Sequence, residues 1–476
     1  MARALREFLT LLDERYPDQL VRVARAVEPA NFDVTAILQH LENRGRYPLV
    51  WFEQPRNLHG AVARFPLISN VYATRERCAI ALGLDPSDAM LGLSLEYARR
   101  EERSVPPVVV GPSEAPVKEW VQTGEAADLR QLPLVWHHEM DPAPYIDMAV
   151  AMRDPESGAY NVAFLRTMYK APRRLGLHMS PRHNWQIARK HERQGEPTPC
   201  VLVVSHHPAF YLGALNVSPY GRDDYGVVGS LMDEPLRLVP SETWGDRFMV
   251  PADAELVIEG EVPAGVREVE GPFGEFTGYY GPQRVRWVID VKAISGRHDA
   301  IFQDIFVGHR DVWTMGSFPK EGSIYNRIKG VVPGVRGVHL PISATGRYHC
   351  YISLDKRVDG ESKQAALIAL GECDFVKHVV VVDADIDPYD EEQVLWAIAT
   401  RVQADRDVDV IRNCKGNTLD PSQEDDVMSA KMIIDATKPV SRPYEERVRV
   451  PAAALERIDL DAYLAPQSLP AEAAGR

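Results

Sequence analysis

Residues 270–282 read Glu270-Gly-Pro-Phe-Gly-Glu-Phe-Thr-Gly-Tyr-Tyr-Gly-Pro282, with two carboxylates bracketing a Gly-Pro-Phe-Gly step. A solvated loop of this length is built from Lys, Ser and Asn. This one carries Phe273, Phe276, Tyr279 and Tyr280. The aromatics are expected to be buried and to carry the glutamates in with them, so the segment belongs to an interior pocket. A surface hairpin with two exposed acids is the plain alternative. A carboxyl group held among aromatic rings keeps its proton to higher pH and can act as an acid near neutrality.

A chain of 476 residues exceeds what one hydrophobic core usually serves, which predicts two or three domains. Four regions are read along it. Residues 1–115 form an N-terminal α/β region. Its opening helix presents Leu5, Phe8, Leu9 and Leu12 on one face, Ile37, Leu38 and Leu41 repeat the pattern, and Leu49–Phe52 reads as a strand. Pro106, Pro107, Pro112 and Pro116 mark its end. Residues 116–318 turn to β: Cys200–Ser205 is continuously apolar, Glu255–Val262 fits a half-buried strand, and Arg286–Ile294 puts Trp287, Ile289 and Val291 on one face. A barrel-like domain with inserted helices is expected there. Residues 319–450 return to α/β. Lys377–Ile386 reads as a buried parallel strand, and Val394, Leu395, Ile398 and Val402 then lie on one helical face. Residues 451–476 are an Ala- and Pro-rich tail, expected either to pack on a partner or to be loose.

A formal charge of −14 argues against nucleic acid and anionic membranes as partners. No apolar run approaches the length of a membrane span, and the N-terminus carries no secretory pattern. Cys78, Cys200, Cys350, Cys373 and Cys414 are scattered, which fits free thiols in a reducing cytoplasm. HExxH, P-loop, GxSxG and GxGxxG patterns are missing from the sequence. His137-His138 and His206-His207 would project to opposite faces of a strand, so neither pair suits one metal.

Tyr160–Met168 looks like one strand in which Asn161 and Arg166 stand among apolar residues. A buried Arg needs an anion, which can be a protein carboxylate or a bound ligand. His183 follows Pro181-Arg182, a loop position suited to a metal or a phosphate, though a lone His is commonly structural. In Arg222-Asp-Asp-Tyr225 the acids suit a divalent cation or a solvated turn.

Taken together, Arg153–Gly158, Asn161 with Arg166, Pro181–His183, the Glu270–Glu275 run, Val379–Asp387, Ala399–Arg401, Gln403–Asp407 and Leu419–Ser422 resemble the UbiD family of decarboxylases. The resemblance covers residues 5 to 450. It implies an α/β N-terminal region, a flavin-reductase-like split β-barrel and an α/β C-terminal domain. It implies prenylated FMN supplied by a UbiX-like flavin prenyltransferase, a divalent metal such as Mn²⁺, and K⁺. It implies reversible decarboxylation of an aromatic, heteroaromatic or α,β-unsaturated acid or of an aryl-CoA thioester, with release of CO₂, in a homodimer or larger homo-oligomer. Asn161 and His183 fall on metal-ligand positions. The family's third ligand is a Glu; Asp224 stands there, with Asp223 beside it. Asn161, Val162, Ala163, Phe164, Leu165, Arg166, Arg182, His183 and Asp224 fall on cofactor-contacting positions. K⁺ is implied near Val162 and Ala214–Asn216, with Arg401. Arg166, Glu270 and Glu275 match the catalytic set, in which Arg166 orients the carboxylate, Glu270 holds Arg166 and Glu275 donates the proton. His309–Arg327, with Trp313, Met315, Phe318 and Tyr325, is expected to line the substrate pocket. Two other readings stay open. The chain could be a flavin-binding subunit of a larger carboxylase, or a metal-dependent hydrolase using His183, Asp224 and the glutamates.

Overall fold

The opening helix forms at Leu5–Arg15 and buries the predicted Leu5, Phe8, Leu9 and Leu12. The structure, a computed structural model, describes residues 4–423 and 428–464. These fall into two compact units, Met1–Thr437 and Lys438–Arg476.

In the larger unit, Leu49–Phe52 forms as predicted and pairs in parallel with Leu20–Val23 and antiparallel with Leu67–Ser69. A fourth strand, Phe302–Gln303, comes from more than 200 residues away and pairs in parallel with Leu67–Ser69. The N-terminal sheet is therefore completed by the chain that leaves the central one.

The central sheet has ten strands and all of its pairings are antiparallel. Arg284–Gly296 is its spine, pairing with Leu256–Val262, Arg174–Leu177, Trp120–Thr123 and Glu268–Glu270. Trp287, Ile289 and Val291 are buried as their alternation predicts. Thr198–Ser205 is buried at almost every position. Leu256–Val262 departs from the half-buried expectation, being buried on both faces. Its Glu259 is enclosed because it accepts hydrogen bonds from Ser241 Oγ and from the backbone N–H groups of Glu242 and Thr243.

The segment 160–168 is not one strand. Tyr160–Phe164 and Thr167–Ala171 belong to opposite ends of the sheet order, and Leu165-Arg166 bridges them. This break carries Arg166 off the ladder and toward the cavity.

The C-terminal sheet orders its strands Val335–His339, His349–Leu354, His378–Asp383, Met428–Ala436 and Val408–Lys415. The middle three are parallel, with helices Glu361–Glu372 and Glu391–Arg401 in the connections, as the apolar strand and amphipathic helix predict. Helix Arg310–Lys329 ties this sheet to the N-terminal region by packing on helix Leu91–Glu101. The approach is close enough that a Cβ on Gly322 would lie 2.0 Å from the Ser94 carbonyl oxygen. Beside it, Glu321 receives both Nη groups of Arg75 at 3.0 and 2.9 Å and the Ser94 hydroxyl at 2.7 Å.

In the smaller unit, residues 438–464 hold two short helices, Ala452–Arg457 and Leu460–Tyr463, both largely exposed. The end of the predicted tail, from 465, lies outside the described residues. All five cysteines are free, four of them buried. Among the described residues no helix is long and apolar enough to cross a membrane.

Candidate active site

One cavity of about 770 Å³ is lined by Asn161 to Arg166, by 178–184, by 214–218 and by side chains from the C-terminal sheet and helix Arg310–Lys329. Its chemistry falls into two groups.

The first is built on the Glu270–Glu275 run. Glu270 ends the strand Glu268–Glu270. Gly271 follows at φ +82°, a left-handed conformation that favours glycine. Phe273–Gly274 then pairs with Tyr280–Gly281. The Gly274 N–H donates to Asp141 Oδ1 at 2.9 Å, and Gly274 faces the His138 ring so closely that a Cβ would lie 2.2 Å from Nδ1. Glu270 is fully buried and Glu275 is 8% exposed. Phe273 and Phe276 are buried with them, but Tyr279 and Tyr280 are exposed, contrary to expectation. The hairpin turn at Thr277-Gly278 projects the two tyrosines away from the core.

Arg166 joins the glutamates. Its Nε and Nη2 donate to the two oxygens of Glu270 at 3.0 and 2.8 Å, a bidentate pair, while Nη1 donates to Glu275 Oε1. Its guanidinium carbon lies 4.7 Å from the centre of the Phe273 ring. Tyr145 Oη donates to Glu270 Oε1 at 3.2 Å. Burial pushes the Glu275 carboxyl up to about 7, against the opposing pull of Arg166. Burial also opposes the charge of Arg166, but the two carboxylates outweigh it and raise its pKa.

Several contacts here were not foreseen from the sequence, in which His137 figures only as half of a histidine pair. His178 lies with Nδ1 3.9 Å from Glu270 Oε2, and burial, with Arg166 and Arg286 nearby, pushes it down to about 3. His137 is buried between Asp304 Oδ1 at 2.8 Å and Asp147 Oδ2 at 3.3 Å. Asp147 lines the cavity, and burial pushes it up to about 6. These partners lie up to 167 positions apart in the chain, so no local spacing announces them.

The second group contains Asn161, His183 and Asp224. Asn161 sits on strand Tyr160–Phe164, His183 begins helix His183–Arg193, and Asp224 begins helix Asp224–Met232. Asn161 Oδ1 and His183 Nδ1 are 3.0 Å apart. Two donors at about 2.1 Å from one cation, at right angles, are separated by about 3.0 Å. Burial lowers the pKa of His183, which keeps the imidazole neutral as a ligand must be. Asp224 is 4% exposed, accepts the Val162 N–H through Oδ2 at 2.8 Å, and is pushed up to about 7 by burial. Asp223 does not line the cavity. It caps its helix by accepting the Tyr225 N–H at 2.9 Å, and it accepts the Tyr160 N–H at 3.1 Å. Among the described residues no three His, Cys, Asp or Glu side chains group as a metal cage. The candidate set has one imidazole, one carboxylate and an amide oxygen, and its donors fit a divalent cation.

Val162, Ala214, Leu215 and Asn216 line the same end, but Arg401 does not. Its guanidinium is held by Asp383 Oδ2 at 2.6 Å and Asp385 Oδ2 at 3.0 Å, bridging a helix to the acidic loop after its strand. Of the expected substrate-pocket side chains Met315 lines the cavity, while Trp313, Phe318 and Tyr325 do not. Trp313 Nε1 donates to the Phe276 carbonyl at 2.6 Å and Phe318 packs edge-on against Tyr97. A 20-residue helix crossing between two cores spends most of its apolar residues on packing.

The chain matches three family models: the 3-octaprenyl-4-hydroxybenzoate carboxy-lyase N-terminal domain over residues 11–94, its Rift-related domain over 108–310 and its C-terminal domain over 313–436. It is 33% identical to a phenolic acid decarboxylase of Sedimentibacter hydroxybenzoicus, over 92% of each chain. It is 32% identical to an anhydromevalonate phosphate decarboxylase of Methanothermobacter thermautotrophicus, over 79% of this chain and 86% of that one. The UbiD-class enzyme HmfF from Pelotomaculum thermopropionicum, solved in complex with FMN, superposes with a TM-score of 0.88 at 38% identity, covering 97% of this chain and all of that one. An evolved dimeric form of the same enzyme, with prFMN, superposes at 0.86.

Proposed function

From the premise that this chain belongs to the UbiD family of carboxy-lyases, we propose that it reversibly decarboxylates an aromatic or heteroaromatic acid using prenylated FMN. The observation that carries the reading is the Arg166–Glu270–Glu275 constellation at one end of a flavin-sized cavity.

The chemistry follows from charge. Breaking the ring-to-carboxylate bond releases CO₂ and leaves an electron pair on the ring carbon. Prenylated flavin, when bound, supplies the sink for that pair, which no side chain here can. Arg166 orients the substrate carboxylate, and its bidentate grip on Glu270 fixes the guanidinium plane. In its protonated form Glu275 carries no charge against the incoming carboxylate, so Arg166 Nη1 can turn from Glu275 to the substrate. Glu275 then delivers its proton to the ring carbon, forming the C–H bond that replaces the lost C–C bond. The resulting Glu275 carboxylate falls back on Arg166.

Asn161, His183 and Asp224 would hold Mn²⁺ or a similar cation, which would supply positive charge for the anionic cofactor, and the backbone at Val162 and Ala214–Asn216 would serve K⁺. The free cysteines fit a cytoplasmic enzyme, and a homo-oligomer served by a flavin prenyltransferase is the proposed setting. The test is to co-produce the chain with such a prenyltransferase, identify the released ligand by mass, and measure CO₂ release from a panel of aryl acids. Prenylated FMN with turnover of an aryl acid is the expected result. A flavin-free protein, or a flavin-loaded one that releases no CO₂ from any aryl acid, would refute the reading.

A further inference from the structure

Two cations of the cavity have no carboxylate within ion-pairing distance among the described residues, although Glu101 and Glu275 act on them from further off. Arg166 is matched by Glu270 and Glu275. Arg182 and Lys415 share Asp374 at 3.5 and 3.2 Å. Lys320 and Arg347, which also line the cavity, form no ion pair with any described residue. Lys320 Nζ donates to the Gly316 carbonyl of its own helix at 3.2 Å. Arg347 Nη1 donates to the carbonyls of Val312 and Thr345 at 3.3 and 3.1 Å.

Both cations flank one aromatic ring. Lys320 Nζ lies 5.8 Å and the Arg347 guanidinium carbon 5.9 Å from the centre of Phe375. Arg347 also stacks 4.3 Å over Phe276, the residue after Glu275. Its place is reserved by the absence of a side chain at Gly316, where a Cβ would lie 2.3 Å from its guanidinium carbon. Burial pushes Lys320 down to about 8, with the charge of Arg347 adding to the effect, and burial pushes Arg347 down to about 10 against the pull of Glu275. Two buried like charges with no directly paired carboxylate cost stability, and that cost is tolerated where a ligand supplies the paired anion. On the proposed reading a cation held by Asn161, His183 and Asp224 would serve the cofactor phosphate, and this pair is then left to the substrate.

Building on the decarboxylase reading, we propose that the substrate is an aromatic dicarboxylate, one carboxylate meeting Arg166 for removal and the second seated between Lys320 and Arg347. Met315 and Phe375 line the cavity beside this pair and offer apolar surface to the ring between the two charged ends.

The test compares matched acids on the flavin-loaded protein: benzoate against benzene-1,3- and 1,4-dicarboxylate, with the corresponding five-membered heteroaryl pairs. The dicarboxylate of a pair should exceed its monocarboxylate in kcat/KM by on the order of 10²-fold. Lys320→Gln and Arg347→Gln should each remove most of that ratio, chiefly through KM, with flavin occupancy unchanged. Gly316→Ala, which displaces Arg347 without deleting it, should lower the ratio in the same direction. Dissociation constants on the non-reacting Glu275→Gln protein should show the same preference without turnover. Equal kcat/KM for both acids of every pair, or a loss of flavin in the Lys320 and Arg347 variants, would overturn the proposal. If neither acid releases CO₂ but the dicarboxylate still binds preferentially, the anion site stands and the decarboxylase reading falls.

Discussion

Replacing Glu275 by Gln should stabilise the protein, and by an amount that depends on pH. Burial raises this carboxyl from the ordinary 4.5 to about 7, so the folded protein holds its proton more tightly than the unfolded chain. The stability this proton contributes is complete below about 4.5 and is lost as pH rises through about 7. The interval between the two values corresponds to about 3 kcal/mol once the carboxylate is fully charged, at pH 8, and to under about 1 kcal/mol at pH 5. Gln keeps the shape and never ionises, so it escapes that cost. The attraction of Arg166 for the ionised carboxylate is already contained in the net rise to about 7, so the comparison needs no separate allowance for it. A chain of this length gains roughly 1 kcal/mol/K of unfolding entropy, so the increment in Tm should be about 3 °C larger at the higher pH than a common baseline, against about 1 °C at the lower. Differential scanning calorimetry of both proteins at pH 5 and pH 8 reads it. Equal increments at the two pH values, or a larger one at pH 5, would show that the folded protein does not raise this carboxyl.

Three further outcomes follow from the same geometry. Asn161→Ala or His183→Ala should purify with little flavin and little divalent metal, measured by absorbance and elemental analysis, because each removes one of two donors 3.0 Å apart; normal occupancy would remove the metal assignment. Arg166→Lys should lose on the order of 10²-fold or more in kcat/KM, since an ammonium cannot reproduce the bidentate grip on Glu270; near-normal kinetics would show that the fork is dispensable. Gly322→Ala places a Cβ 2.0 Å from the Ser94 carbonyl and should cost about 1–3 kcal/mol in chemical denaturation without changing the cavity residues; an unchanged midpoint would mean that the two helices are free to separate.

What the sequence disclosed was local. The helix at Leu5–Arg15 and the strand at Leu49–Phe52 formed where periodicity placed them, because each buries one run of neighbouring apolar residues. The buried strand and amphipathic helix of the C-terminal sheet were legible for the same reason. Arg166, Glu270 and Glu275 stood out because their neighbours are apolar, and the fold brings them together across 104 and 109 positions. The break at Leu165-Arg166 was not legible, because an apolar run reads alike whether it stays in one strand or crosses between two. Nor was the enclosure of His137 by Asp147 and Asp304, or the unmatched pair Lys320 and Arg347. Each is a fact about which distant charges meet, and spacing along the chain does not encode that. Arg401 shows the converse: it fell on a site position by resemblance and is occupied by Asp383 and Asp385.

The central claim is that Glu275 exchanges a proton with the substrate carbon in a flavin-loaded cavity. Its most direct test is deuterium incorporation into the decarboxylated aryl product in D₂O, followed by NMR on wild-type and Glu275→Gln proteins of equal flavin content. The account predicts exchange at the carbon that bore the carboxylate in the wild type and none in the variant. Exchange at the wild-type rate in the Gln protein would contradict it.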